Sequence, residues 1–135
     1  MKVWRVAHES AECAGFPAGP YACSSVVPKE SLDLIWGMGL SHADDEHPSP
    51  YADAELQTVR DWERCGFNSK AALFRWFAGW LGRLDEAGFR LFEYEVPDDR
   101  ARVGQYGQVV FHEEFAREIH RSPLDLSAEQ LTLFA

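Results

Sequence analysis

The period of apolar positions changes several times along this chain, and each change marks an element. Val3, Arg5 and Ala7 alternate with Trp4, Val6 and His8, which predicts a first strand. Gly15 to Tyr21 is a turn-rich loop. Lys29 to Trp36 brings Leu32, Ile35 and Trp36 to one face of a short helix, with Gly37 and Gly39 as its stop. Ser41 to Tyr51 is polar, holds Pro48 and Pro50, and reads as a surface loop. A second helix is expected from Asp53 or Ala54 to Cys65-Gly66. Asn68 or Ser69 then caps the strongest helix, whose stripe is Leu73, Phe77, Trp80, Leu81 and Leu84. Gly79 and Gly82 are the points where it can bend or break, and Gly88 ends it.

Phe89 to Val96 alternates again as a strand, and Pro97-Asp98-Asp99 turns the chain. Val103 to Phe111 carries another strand centred on Gln108 to Phe111. Glu113 to His120 predicts a short helix with Phe115 and Ile119 inward, closed by Ser122-Pro123. Beyond Leu124, one more helical turn is expected with Ser127 as its cap. This order implies an α+β fold, a small antiparallel sheet packed with several helices in a single domain. A compact body over 1–122 is followed by a C-terminal tail over 123–135.

Composition narrows the class. At 135 residues, 46% hydrophobic and 13% aromatic, the chain can bury an ordinary core. A net charge of −9 disfavours direct binding to duplex DNA, whose phosphates require Lys and Arg. Such a surface suits a basic protein partner, mimicry of nucleic acid, or simple solubility. Cys13, Cys23 and Cys65 are odd in number and form no C-x-x-C pair, as expected of thiols in a reducing compartment. No apolar run approaches the ~18 residues of a membrane span. The first residues enter a strand pattern directly, so a cytoplasmic protein without membrane contact is expected.

Conventional catalytic motifs are missing. There is no phosphate-binding glycine loop, no dinucleotide fingerprint and no G-x-S-x-G element. His42, Asp44, Asp45, Glu46 and His47 are groups that ligate metals, but their spacing matches no zinc pattern and reads as a solvated acidic loop. His112 and His120 lack the one-turn spacing of a helical metal pair, and Glu113 and Glu114 complement the start of the expected helix. No metal is expected. Trp76, Phe77 and Trp80 have helical spacing and read as core.

The tail carries the most specific motif. Gln130-Leu131-Thr132-Leu133-Phe134 resembles the short peptide by which bacterial and phage DNA-processing proteins dock on the replication sliding clamp. The resemblance implies that Gln130 supplies hydrogen bonds, Leu133 and Phe134 fill a pocket, and Leu131 packs beside it. The alternative for these apolar residues is a segment folded back onto its own domain. On this reading the chain is an interaction protein of phage or mobile-element origin that docks on the bacterial DNA polymerase sliding clamp. Its acidic body would then act on host replication or defence machinery, possible partners including a basic nucleic-acid-binding protein that it inhibits by mimicry.

The body resembles small proteins of phages and mobile elements, on Val3 to His8, Gly19 to Tyr21, His47 to Pro50, Trp76-Phe77 and Gln108 to Phe111. That layout is also similar to minimal ADP-ribosyltransferase-like folds. The likeness implies NAD as cofactor, with Arg5 or His8 at the dinucleotide and Tyr21, Ser24 or Ser25 as the second position. Gln108 falls where such folds place an acidic residue. A carboxamide is neither a general base nor a charge that stabilises an oxocarbenium ion. Glu93 and Glu95 would have to point into the same cleft to replace it. Outside the enzyme reading no cofactor is expected.

Overall fold

The computed structural model describes residues 1–21, 27–44 and 46–124. It is α+β, as the pattern implied. Six strands form one antiparallel sheet in the order β6-β7-β4-β1-β5-β8. These are β1 (Lys2–His8), β4 (Glu63–Phe67), β5 (Phe89–Glu95), β6 (Ala101–Val103), β7 (Gln108–His112) and β8 (Arg117–Ser122). A small hairpin of β2 (Glu12–Cys13) and β3 (Phe16–Pro17) stands apart. Three helices, α1 (Leu32–Ser41), α2 (Lys70–Trp76) and α3 (Leu81–Glu86), complete the described elements apart from short 3-10 turns.

β1 is central because both of its faces are apolar. On one face Val6 joins Phe67, Phe89 and Leu91 beneath the helical residues Ile35, Met38, Leu73, Phe74, Leu81 and Leu84. On the other, Val3 and Ala7 join Phe92, Tyr94, Val109 and Phe111, with Phe16 of the hairpin packed over them. A fully buried side chain of this size contributes about 1.5–3 kcal/mol, so this two-sided burial sets the register.

The sheet consists of two halves. β1 is paired with β5 along its whole length, from Lys2↔Glu95 to His8↔Phe89. β4 is paired with β7 from Glu63↔His112 to Phe67↔Gln108. Between the halves, β1 and β4 share one register pair, Trp4↔Phe67. Close approach there needs glycine: a Cβ on Gly66 would lie 2.5 Å from Val3 Cγ1 and 2.7 Å from the Trp4 carbonyl oxygen. Beyond that pair the strands are no longer bridged, and the split between them becomes the cavity described below.

Several predicted elements change. The helix expected from Asp53 to Gly66 does not form; its end is β4, and Gln57 within it has φ +65°. A strand buried between β1 and β7 gains ladder bonds and core contacts that outweigh local propensity. The helix over Glu113 to His120 is instead a 3-10 turn and the edge strand β8, with Phe115 and Ile119 exposed. Pairing with β5 decides it. α1 runs through Gly37 and Gly39 to Ser41 and leaves Trp36 66% exposed, contrary to the face expected. The long helix is two, because Gly79 adopts φ +86°. Ser69 caps the first, accepting from Ala72 N at 3.1 Å. The strand expected from Val103 to Phe111 is the hairpin β6–β7.

Candidate functional site

A cavity of about 780 Å³ opens along the split of the sheet. It lies within the size range of small-molecule sites. Arg5 and Val6 of β1, Cys65 and Gly66 of β4, and Gln108 of β7 line it, with Tyr21, His42, His47, Trp76 and Phe77 around them. Arg5, Tyr21 and Gln108, separated by up to 103 positions, therefore meet in one place.

Arg5 spans the split. Its Nη1 donates to the Cys65 carbonyl at 2.7 Å and its Nη2 to the Pro17 carbonyl at 3.2 Å. Its guanidinium lies 5.7 Å from the Phe16 ring centroid. Gly19 presses against it, since a Cβ there would sit 2.9 Å from Nη2. Further positive charge comes from Arg60 and Arg64, which also line the cavity and pair with Glu63 and Glu113. Glu63 is buried; despite desolvation, bonds from Arg60 N and Arg102 hold its carboxyl below the usual range.

Gln108 acts first as a strut. Its Nε2 donates to the Pro48 carbonyl at 2.5 Å and so pins the loop that carries His47. A carboxylate could not make that bond, which accounts physically for an amide here. Burial pushes the neighbouring Cys65 thiol up, although Arg5 opposes the shift.

In the loop from His42 to His47 the carboxylates of Asp44 and Glu46 are exposed, as expected of a solvated acidic stretch, but the two imidazoles turn onto the body. His42 is 8% exposed, and its ring stacks on that of His47 with centroids 3.9 Å apart and planes at 14°. Tyr21 Oη lies 2.5 Å from His42 Nδ1 and accepts from Trp76 Nε1 at 2.7 Å. His47 Nδ1 meets Asp44 Oδ1 at 2.9 Å and its Nε2 meets the Trp76 carbonyl at 3.1 Å. Burial, assisted by the adjacent His47, pushes His42 down to about 4, so its ring is neutral at pH 7. Burial pushes the Tyr21 phenol up, so it keeps its proton. Trp76 thus serves the cavity wall as well as the core. Sequence reasoning missed His42 and Trp76 as site residues, since only the fold brings them to Tyr21.

His8 is absent from the cavity. Its Nδ1 accepts from Ser10 N and Ala11 N at 3.1 and 2.9 Å, and its Nε2 meets the Ala87 carbonyl at 3.1 Å. Three backbone partners make it a tie between β1 and the turn after α3, and Gly88 leaves room for its ring. Glu93 and Glu95 also point elsewhere, toward Lys2 and the Met1 amino group. They do not replace Gln108. Ser24 and Ser25 lie outside the described residues, as does the tail with Gln130, Leu131, Leu133 and Phe134. His112 and His120 stand on β7 and β8, on opposite halves of the sheet. Among the described residues no group of three or more His, Cys, Asp or Glu could hold a metal. None of the described helices is long and apolar enough to cross a membrane.

No curated protein and no solved structure matches the chain. One family model does match, over residues 1–125, and so covers the sheet, the helices and the whole of this cavity. It is the phage family described as Bacteriophage T4 Y00F protein, and the chain belongs to that family.

Proposed function

We propose that the body of this phage-family protein is a nucleotide-binding domain of ADP-ribosyltransferase-like layout that takes NAD in the split of its sheet. The observation that carries this reading is the convergence of Arg5, Tyr21 and Gln108 on one cavity. The chemistry of the lining agrees with it. Arg5, Arg60 and Arg64 offer N–H donors to a diphosphate beside the carboxylates of Asp61 and Glu63, and Tyr21, His42, Trp76 and Phe77 offer flat ring surface for a planar base.

Gln108 gives the reading its direction. Its carboxamide can orient a ribose hydroxyl but provides no negative charge opposite a developing oxocarbenium ion. Glu63, the buried carboxylate at the cavity, is neutralised by Arg102 and Arg60. The domain therefore holds the dinucleotide and does not transfer its ADP-ribose. The test is calorimetric titration with NAD and ADP-ribose, together with a mass-spectrometric search for ADP-ribose adducts. Micromolar binding that falls in Arg5→Met and Tyr21→Phe, without adducts, is expected. Absence of binding would reject the reading, and adducts would reassign the chain as a transferase.

A second reading rests on the tail sequence alone. Gln130, Leu131, Leu133 and Phe134 have the order of a sliding-clamp docking peptide, which would carry the body to the replication machinery. Titration of a bacterial clamp with the full chain and with Leu133→Ala/Phe134→Ala tests it. If these residues are hot spots, the double variant loses at least ~2 kcal/mol of affinity with the fold intact. No binding by the full chain would reject it.

A further inference from the structure

The oxygen of Tyr21 sits between two ring nitrogens, and the donor chemistry and distance of each bear on where its proton goes. The indole Nε1 of Trp76 can only donate. At 2.7 Å it uses one lone pair of the Tyr21 oxygen. The contact with His42 Nδ1, at 2.5 Å, then has two possible senses. If the imidazole donated, the phenolic proton would turn to solvent, since Tyr21 is 48% exposed, but a separation of 2.5 Å is shorter than an N–H donor reaches and suits an O–H donor. Among the described residues, the Tyr21 oxygen makes no hydrogen bond besides these two. If the phenol donates, both contacts of the Tyr21 oxygen are satisfied and His42 carries its proton on Nε2.

The ring that receives this proton is itself held. His47 stacks on His42 at 3.9 Å and is tied through Nε2 to the carbonyl of Trp76, the residue whose indole holds Tyr21. Asp44 fixes the other nitrogen of His47. Trp76, Tyr21, His42 and His47 are thus tied to one another in the cavity wall, and with the phenol donating to His42 what Tyr21 still offers is a lone pair.

We propose that Tyr21 is an obligate hydrogen-bond acceptor in the cavity wall, with His42 and Trp76 as its positioning residues, and that it selects ligands presenting an N–H or O–H at that point. A ligand with a carboxylate there meets lone pair against lone pair and is rejected. This specificity rests on the reading of the cavity as an NAD-type site. Two parts of such a ligand have the required chemistry, a carboxamide N–H and a ribose hydroxyl.

The experiment has two parts. Long-range ¹H–¹⁵N correlation on the free protein reports the His42 tautomer: a proton on Nε2 supports the proposal, and one on Nδ1 overturns it. Calorimetric titrations then compare NAD, its nicotinic acid counterpart and ADP-ribose against the unaltered chain and Tyr21→Phe. If the carboxamide is the donor, NAD alone loses roughly three- to tenfold in Tyr21→Phe, and the nicotinic acid form binds weakly to both chains. If a ribose hydroxyl is the donor, all three ligands lose alike. His42→Leu should reproduce the loss, and His42→Asn, which keeps an acceptor near the Nδ1 position, should restore affinity. Binding by the unaltered chain with no loss in Tyr21→Phe overturns the proposal while the nucleotide site stands. No binding of any of the three overturns the site itself and the selection with it, whatever the tautomer.

Discussion

The guanidinium of Arg5 donates to the carbonyl of Cys65 across 2.7 Å, at the level where β1 and β4 have ceased to bridge. A side chain thus takes the place of a ladder bond and holds the two halves of the sheet at a fixed separation. Its second bond, to Pro17, fastens the β2–β3 segment to the same point.

Removing this clamp should cost more than one ordinary contact. Arg5→Met leaves the Cys65 and Pro17 carbonyls without their charged donor, and charge-assisted bonds contribute about 1.5–3 kcal/mol each. A loss of roughly 2–4 kcal/mol in urea unfolding is expected. Arg5→Lys should recover only part of it, because one ammonium cannot reproduce the planar fork that reaches both carbonyls.

Gln108→Glu is a near-isosteric change with a pH-dependent cost. At pH 7 the carboxylate faces the Pro48 carbonyl in place of an N–H donor, and a loss of about 1–3 kcal/mol is expected. In acid the protonated carboxyl can donate again, so the difference from the unaltered chain should shrink. Unfolding midpoints of the two proteins at pH 7 and pH 4.5 measure it, and faster amide exchange around His47 and Ser49 should accompany the loss.

Gly66→Ala tests the close approach of β4 to β1. The added Cβ would strike Val3 Cγ1 and the Trp4 carbonyl oxygen, one of them main chain. Overpacking of this kind costs about 1–3 kcal/mol or more. The loss should register as a lower unfolding midpoint. A Gly39→Ala control, which meets nothing within 4 Å, should remain close to the unaltered protein.

His42 makes the fold sensitive to acid. Its native value of about 4 lies below the ordinary value of 6.5, first through burial and then through His47. Between those values the unfolded chain binds a proton that the native state refuses, so stability falls as pH drops from about 6.5 toward 4. The contribution is on the order of 1–3 kcal/mol. Asp44, held low first by its hydrogen bond to His47, adds a loss at more acid pH. The slope of stability against pH between 6.5 and 4.5 should be shallower in His42→Asn than in the unaltered chain.

The sequence was most legible where local periodicity and burial coincide. β1 and β5 alternate on the page and alternate in the sheet. The Ser69 cap and the stop at Gly88 were readable because a cap side chain and a positive φ act within one turn of chain. The segments around Cys65 and Ile119 misled because helical spacing there is incidental. What makes them strands is a partner some 45 and 27 residues away in sequence, β7 for the first and β5 for the second.

The candidate site divides in the same way. Arg5, Tyr21 and Gln108 were identifiable as polar residues within a likeness to known layouts, whereas His8, three residues from Arg5, faces the opposite side of β1 and becomes a structural tie. His42, His47 and Trp76 carry no spacing that links them to Tyr21, and their roles exist only once α1, α2 and the loop between 42 and 51 are packed together. By itself the sequence determined the class of fold, the alternation of β1 and β5 and the residues able to do chemistry, because alternation and side-chain type are local properties. Tertiary structure alone decided that the sheet would split beside Trp4, that Arg5 would bridge the gap, and that a neutral imidazole would meet the Tyr21 oxygen. Those outcomes depend on desolvation and on contacts between positions far apart in the chain.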